Sequence, residues 1–279
     1  MVGVWYALGS AICYGVADFA GGMLSRRANA VAIALAGQVG GLLLTVLAAL
    51  LVPAPDIAAD DLAWGAASGV GTGMGMAFLY RGLSQGAMSV VVPVSAVGGL
   101  ALPVAANVAI LGDRPSTAAW LGLVAAVPAM WCVSRTRTDE TTAGAAGVAD
   151  GLAASLGIAL QYLALAQAGT ASGLWPLAVG RLAAVLAILP LAGMTRSPLR
   201  LPPWLAVQAG LVGGVAALAL FLYLIATRHA LVTVAVALSN FYPALPALLG
   251  IVVLRERLSH MQVGGLLLAG VAVGLLSAI

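Results

Sequence analysis

The hexapeptide Leu111-Gly112-Asp113-Arg114-Pro115-Ser116 is read again 143 residues later (111 to 254) as Leu254-Arg255-Glu256-Arg257-Leu258-Ser259. Working outward at the same offset, Phe78-Leu79-Tyr80 recurs as Phe221-Leu222-Tyr223, and Gly71 matches Gly214. Leu102-Pro103 matches Leu245-Pro246, and Gly122-Leu123 matches Gly265-Leu266. About fifty positions align without a gap. Single matches among Ala, Leu and Gly carry little weight. A run that keeps prolines, aromatics and an acidic residue beside arginine marks a duplicated unit.

Each copy lies in strongly apolar sequence. Hydrophobic residues make up 62% of the 279, charged residues 8%, and the mean hydropathy is +1.09. A soluble domain carries about 25% charged residues, so this chain's solvent must largely be lipid. The net charge of +3 is due to arginine alone, with no lysine. Its arginines stand singly or in pairs, which argues against a nucleic-acid surface. Cys13 and Cys132 lie inside apolar runs and suggest no disulfide framework. The stretch from Val2 to Leu24 lacks a basic leader and reads as a first spanning helix.

A spanning helix needs about 20 apolar residues. Charges and Pro/Gly clusters punctuate the chain into ten candidates: 2–24, 31–52, 62–81, 88–111, 117–134, 149–168, 173–194, 203–226, 230–253 and 260–278. The expected fold is therefore an all-α polytopic membrane protein with ten transmembrane helices in two five-helix repeats. The first repeat spans 1–136, a polar linker 137–148, and the second repeat 149–279. Five is odd, so the second repeat enters the membrane from the opposite side. Inverted pairs build transporters, because two similar halves of opposite sense can exchange conformations and expose one site to each side in turn.

Gly112-Asp113-Arg114 and Arg255-Glu256-Arg257, each following a proline-bearing fourth helix and preceding a glycine-bearing fifth (Gly122, Gly265), resemble the Gly-Glu-Arg-like motif of the EamA-type members of the drug/metabolite transporter superfamily. The resemblance covers nearly the whole chain and is clearest in helices 3–5 and 8–10. It implies a ten-helix secondary transporter, often an exporter of amino acids, metabolites or drugs. The motif marks the fold and names no substrate. Related small members move glycolipids, which makes flipping of a lipid-linked solute an alternative, beside efflux of cationic drugs.

Ionisable residues at membrane depth cost about 2.5–3.5 kcal/mol each on insertion scales. Two are expected there, Asp18 in the first helix and Arg181 in the seventh; the remaining charges are expected at helix ends or in loops. Ser10, Tyr14 and Asp18 follow one another at four-residue spacing and share a helix face. A carboxylate on that face is suited to bind and release a proton or to hold a cationic group. At the repeat offset Arg181 aligns with Gln38, and Asp18 with Gln161. The expected depths put Asp18 and Arg181 roughly 12 Å apart along the membrane normal. They either form an ion pair or leave an anion-binding and a cation-binding end, which together suit a zwitterion such as an amino acid.

Prolines inside spanning helices free backbone carbonyls, which is tolerable where a cavity is lined. Pro93, Pro103, Pro243 and Pro246 are therefore expected to kink the pathway walls, with Ser95, Ser239, Asn240 and Tyr242 near them as solute contacts. Trp175 is a candidate for the site or for an interfacial anchor. Gly65, Gly69, Gly71, Gly73 and Gly75 read as a close-packing face. The sequence contains no HExxH motif, Cys/His cluster or Walker motif, so enzyme, metal and cofactor roles are not expected. Transport would then draw on a gradient, with proton coupling through Asp18 the expectation. Both halves lie on one chain, which suits a monomer in a bacterial cytoplasmic membrane. Its expected partners are the lipid bilayer and a small-molecule substrate.

Summed by alternate loops, one side holds Arg26, Arg27, Arg81, Arg135, Arg137, Arg196, Arg200, Arg255 and Arg257, the other only Arg114 and Arg228. Positive charge favours the cytoplasmic side, which would put both termini outside. The family resemblance implies termini inside, and the two readings disagree.

Overall fold

The structure, a computed structural model, describes residues 2–106, 116–134, 142–194, 198–229, 238–239 and 242–276. Among these residues there are ten α-helices and no strand: α1 Val2–Ser25, α2 Ala30–Leu51, α3 Ala59–Gln85, α4 Met88–Ala106, α5 Thr117–Ser134, α6 Thr142–Leu165, α7 Trp175–Met194, α8 Pro203–His229, α9 Ala244–Val253 and α10 His260–Leu276. A short 3₁₀ turn, Thr170–Ser172, precedes α7.

Five stretches are long and apolar enough to cross a membrane: Val2–Ser25, Ala30–Leu51, Ala146–Leu165, Trp175–Gly193 and Pro203–Tyr223. Outward-facing side chains are correspondingly apolar, with Trp5 at 72% and Leu51 at 84% exposure, while Asp18, Gln38 and Ser68 are buried. This inside-out distribution suits a lipid surround.

Several expected boundaries change. α3 runs over Ala59–Gln85 instead of 62–81, α6 over Thr142–Leu165 instead of 149–168, and α8 ends at His229 instead of 226, so residues 142–148 of the expected linker are helical. The segment Thr142-Ala143-Gly144-Ala145-Ala146 holds no charge or proline to stop a helix. Extension places Arg81 and Asp150, expected at helix ends, in the interior of α3 and α6. Arg81 on α3 grips Asp150 on α6 with Nε at 3.0 and 2.9 Å and Nη2 at 2.5 Å. Asp150 is 5% exposed, and Arg81 also lies 4.9 Å over the Phe78 ring. The expected ninth span, 230–253, is not one helix: residues 242–243 form a turn before α9, residues 238–239 are helical, and 230–237 and 240–241, like the end of the fourth span, lie outside the described residues.

α3 packs on α6 and α7, and α8 packs on α1 and α2. α4 lies on α6, and α9 on α1; α2 meets α7, α4 meets α9, and α5 meets α10. Small residues set the tightest seams. Gly65, Gly69 and Gly73 of α3 face Pro176, Gly180 and Ala184 of α7, and a Cβ on Gly69 would overlap the Gly180 carbonyl. Gly37 and Gly40 of α2 meet Gly213 and Gly210 of α8 in the same way. Where lipid removes the hydrophobic drive between helices, close backbone approach supplies dispersion instead.

Side chains tie the helix ends. Asn29 caps α2, its Oδ1 accepting from the amides of Val31 at 3.0 Å and Ala32 at 3.2 Å. Glu256 caps α4 from the other half of the chain, accepting from the amides of Met88 at 2.8 Å and Ser89 at 2.9 Å. The reach depends on Arg255, whose φ of 56° is left-handed, and on Gly250, where a Cβ would meet the Glu256 carboxylate. Gly112 aligns with Arg255 and lies outside the described residues. A glycine fits the left-handed position that Arg255 occupies under strain. Arg26 completes the junction, donating to the carbonyls of Leu83 at 3.0 Å and Gly86 at 2.9 Å and lying 3.6 Å from Glu256.

At the opposite end Asp61 accepts from the Ser172 hydroxyl at 2.6 Å and the Gly169 amide at 2.7 Å. These bonds, the hydroxyl's first, hold its carboxyl below the usual carboxylate range.

Removing one partner of the Arg81–Asp150 pair leaves the other uncompensated. Asp150→Leu is expected to lower stability in detergent by about 3–5 kcal/mol, and Arg81→Met combined with it to recover most of the loss. Thermal unfolding of the three proteins checks this, and equal loss in the single and double variants would contradict it.

Candidate functional site: a polar centre among the helices

The face of α1 that carries Ser10, Tyr14 and Asp18 turns into the bundle. Ser10 is fully buried with no hydrogen-bond partner for its hydroxyl among the described residues. Asp18 is 7% exposed, and its carboxylate makes no hydrogen bond or ion pair among them. Buried polar groups are ordinarily satisfied, so two unpartnered groups on one helix face single that face out.

Arg181 on α7 does not pair with Asp18. Its Nη1 donates to Oε1 of Gln38 on α2 at 2.8 Å, and Gln38 is 3% exposed. The small side of α2 permits this: a Cβ on Gly41 would lie 3.5 Å from the guanidinium. A guanidinium carries five N–H groups, and an amide supplies no negative charge. The cation is therefore oriented and left un-neutralised. Gln161 on α6 shares with Arg181 a small cavity of about 20 Å³, lined also by Ser68 and Thr72. Ser68 donates to the Gln161 backbone carbonyl at 3.0 Å, and Thr72 to the Ser68 carbonyl at 3.0 Å.

Tyrosines lie near both charges. Tyr14 and Tyr80 each lie within electrostatic reach of both Asp18 and Arg181. Tyr14 tilts against Tyr242, in the turn before α9, with ring centroids 5.7 Å apart. Tyr162 of α6 senses Asp18 and Tyr223 of α8, and Tyr242 senses Tyr162. Of six tyrosines in the chain, five thus converge here. Tyr80 is buried against Gly21, where a Cβ would overlap its ring. Tyr162 is 39% exposed, the most accessible ring of the group. A carboxylate, a guanidinium and aromatic rings together can take an ammonium group by charge and cation–π attraction and an anionic group by charge-assisted hydrogen bonds.

The other expected residues fall elsewhere. Ser95 of α4 is buried and donates to the Val92 carbonyl of its own helix at 2.9 Å. Ser239 is buried and reaches the Ala7 carbonyl at 3.4 Å. Trp175 begins α7 and packs beside Ala49, Leu174 and Ala178 at the bundle's end, the place of an anchor. Pro93 and Pro243 line an apolar crevice apart from the polar centre, and Pro246 is a buried residue of α9. Pro103 lies within α4. Asn240 lies outside the described residues. Tyr80, Tyr162 and Tyr223 were not among the expected site residues. The repeated Phe-Leu-Tyr tripeptide, which contains two of them, was the available signal.

No family model matches the chain, and no curated protein matches it. Twelve chains of solved structures are similar. One, described only as "Crystal structure of protein", superposes with a TM-score of 0.58 at 19% identity, over 98% of this chain and 96% of its own. At that identity the likeness is one of fold.

Gln38→Leu leaves the half-buried cation without its described partner and is expected to cost about 1–3 kcal/mol. The exchange Gln38→Arg with Arg181→Gln keeps a guanidinium–amide pair in the same place and should retain most of the stability. Unfolding midpoints distinguish the cases; a swap as unstable as Gln38→Leu would contradict the pairing.

Proposed function

We propose that the chain is a secondary transporter of small organic solutes, with ten spans in two inverted halves that expose the polar centre to each side of the membrane alternately. The observation that carries this reading is the pair of unneutralised opposite charges, Asp18 and Arg181, among tyrosines inside a bundle with an apolar exterior. Intramembrane charge is expensive and marks a path for solutes or ions by default.

The inverted halves are supported by two further facts. Arg181 and Gln38 are 143 residues apart, the offset of the repeated segments, and they touch. Equivalent residues of two halves meet only at the axis relating those halves. The packing follows the same exchange, since adding five to each helix number turns α3–α6 into α8–α1, α2–α8 into α7–α3 and α4–α6 into α9–α1. Inverted repeats of this kind place substrate at their interface near the bilayer midplane, and the resemblance to EamA-type transporters points the same way.

The substrate class we favour is amino acids or related metabolites, moved outward, with the solute's ammonium at Asp18 and its carboxylate at Arg181. The tyrosine rings around Asp18 favour efflux of cationic compounds as a second reading. We place the protein in a bacterial cytoplasmic membrane, as a monomer, with the arginine-rich end inside.

Proteoliposomes loaded with candidate amino acids or organic cations test the proposal. Wild type should release a solute faster at one imposed pH gradient than at the reverse gradient. Asp18→Asn should lower the rate by about tenfold or more and abolish the pH dependence. A variant with wild-type rate and pH response would overturn the role of Asp18. Failure of every solute class to move would overturn the transporter reading.

A further inference from the structure

α4 packs on α5, its successor in the chain, whereas α9 stands away from α10. The gap forms a crevice of about 410 Å³ between α4, α9 and α10, lined entirely by apolar residues that include Pro93, Pro243, Ile251, Leu258, Leu266 and Gly270. It opens sideways: Leu248 is 58% exposed and Leu267 70%. A Cβ built on Gly270 meets nothing within 4 Å, so the floor is open as well. On α10 the crevice extends from Val263 to Val273, about 15 Å of helix, which matches half of a hydrocarbon core about 30 Å thick.

One end of the crevice is the turn containing Leu258. Arg255 and Arg257 flank that position and are exposed, and neither makes an ion pair among the described residues. Glu256, the acid between them, is turned inward onto the amides of Met88 and Ser89. The left-handed backbone at Arg255 fixes that division, sending the acid to α4 and leaving the arginines outside. His260 is exposed at the start of α10, beside the same turn. A leaflet-deep apolar slot beneath a pair of free guanidiniums complements one kind of molecule.

We propose that this crevice binds one anionic phospholipid of the surrounding bilayer, with an acyl chain between α9 and α10 and the phosphate on Arg255 and Arg257. Arginine suits phosphate through its forked donors, and basic sites beside spanning helices recognise anionic headgroups. The acyl chain fills the place that α5 fills beside α4. The site is separate from the polar centre, so its occupancy does not depend on which solute is carried.

The test uses the purified full-length protein in detergent with phosphatidylglycerol or phosphatidylcholine of identical chains. Retained lipid is counted by native mass spectrometry, and affinity is read from the shift in unfolding midpoint. Wild type should retain one phosphatidylglycerol and bind it about 30-fold more tightly than phosphatidylcholine, as two arginines near a headgroup allow. Arg255→Gln with Arg257→Gln, confined to an exposed turn, should bring the two lipids level. Gly270→Phe should fill the slot and abolish retention of both. Equal retention of the two lipids by wild type would overturn the proposal. So would a preference that survives loss of both arginines, retention that survives Gly270→Phe, or cross-linking of a second copy of the chain through this face.

Discussion

An arginine half-buried among apolar helices must be held by something, and in this chain it is held by an amide. The bond from Arg181 to Gln38 fixes where α7 and α2 meet and points the guanidinium without neutralising it. A carboxylate in place of Gln38 would have made a closed ion pair of the kind Arg81 and Asp150 form toward the arginine-rich end of α3. Such a pair is satisfied and has no use for a ligand. With glutamine the positive charge stays available, and Asp18 stays available as its opposite. The polar centre thus depends on what is withheld: each charge is positioned, and neither is matched.

Positioning of that quality needs helices that approach without side chains between them. The glycine seams of α3 with α7 and of α2 with α8 provide it on both sides of the Arg181–Gln38 bond. Two parallel pairs locked by backbone contact form a frame, and the tyrosines reach into it from α1, α3, α6, α8 and the turn before α9. The end junctions are built differently, from single acids that bind amides of another segment, Glu256 on α4 and Asp61 before α7. Toward the arginine-rich end two ion pairs, Arg81–Asp150 and Arg26–Glu256, add to those bonds, so charge holds the ends and backbone contact holds the centre.

Much of the helix order was legible because apolar runs broken by charge and proline leave few choices. The exceptions have physical causes. The expected third and sixth helices were cut short at charged or polar residues, on the assumption that charge ends a span. Arg81 and Asp150 satisfy each other across two helices, so charge lies within both. The alignment at 143 residues paired Arg181 with Gln38, but that they touch depends on how α2 packs on α7, which sequence does not carry. The three further tyrosines were passed over because a tyrosine near a helix end is commonplace filler until its neighbours on other helices are known. The crevice beside α9 breaks the repeat, so a reading built on the repeat had no means of finding it. Ser95 had the polarity of a site residue, but its hydroxyl is spent on its own helix.

The central claim is that one polar centre is reached from both sides. Tyr162 is the accessible tyrosine of that centre, so Tyr162→Cys in a chain with Cys13 and Cys132 replaced by alanine reports access directly. A membrane-impermeant thiol reagent, applied to right-side-out and to inside-out vesicles in separate experiments, should label Cys at 162 in both. A transported solute should slow the labelling. Labelling confined to one side under all conditions, indifferent to solute, would contradict the account.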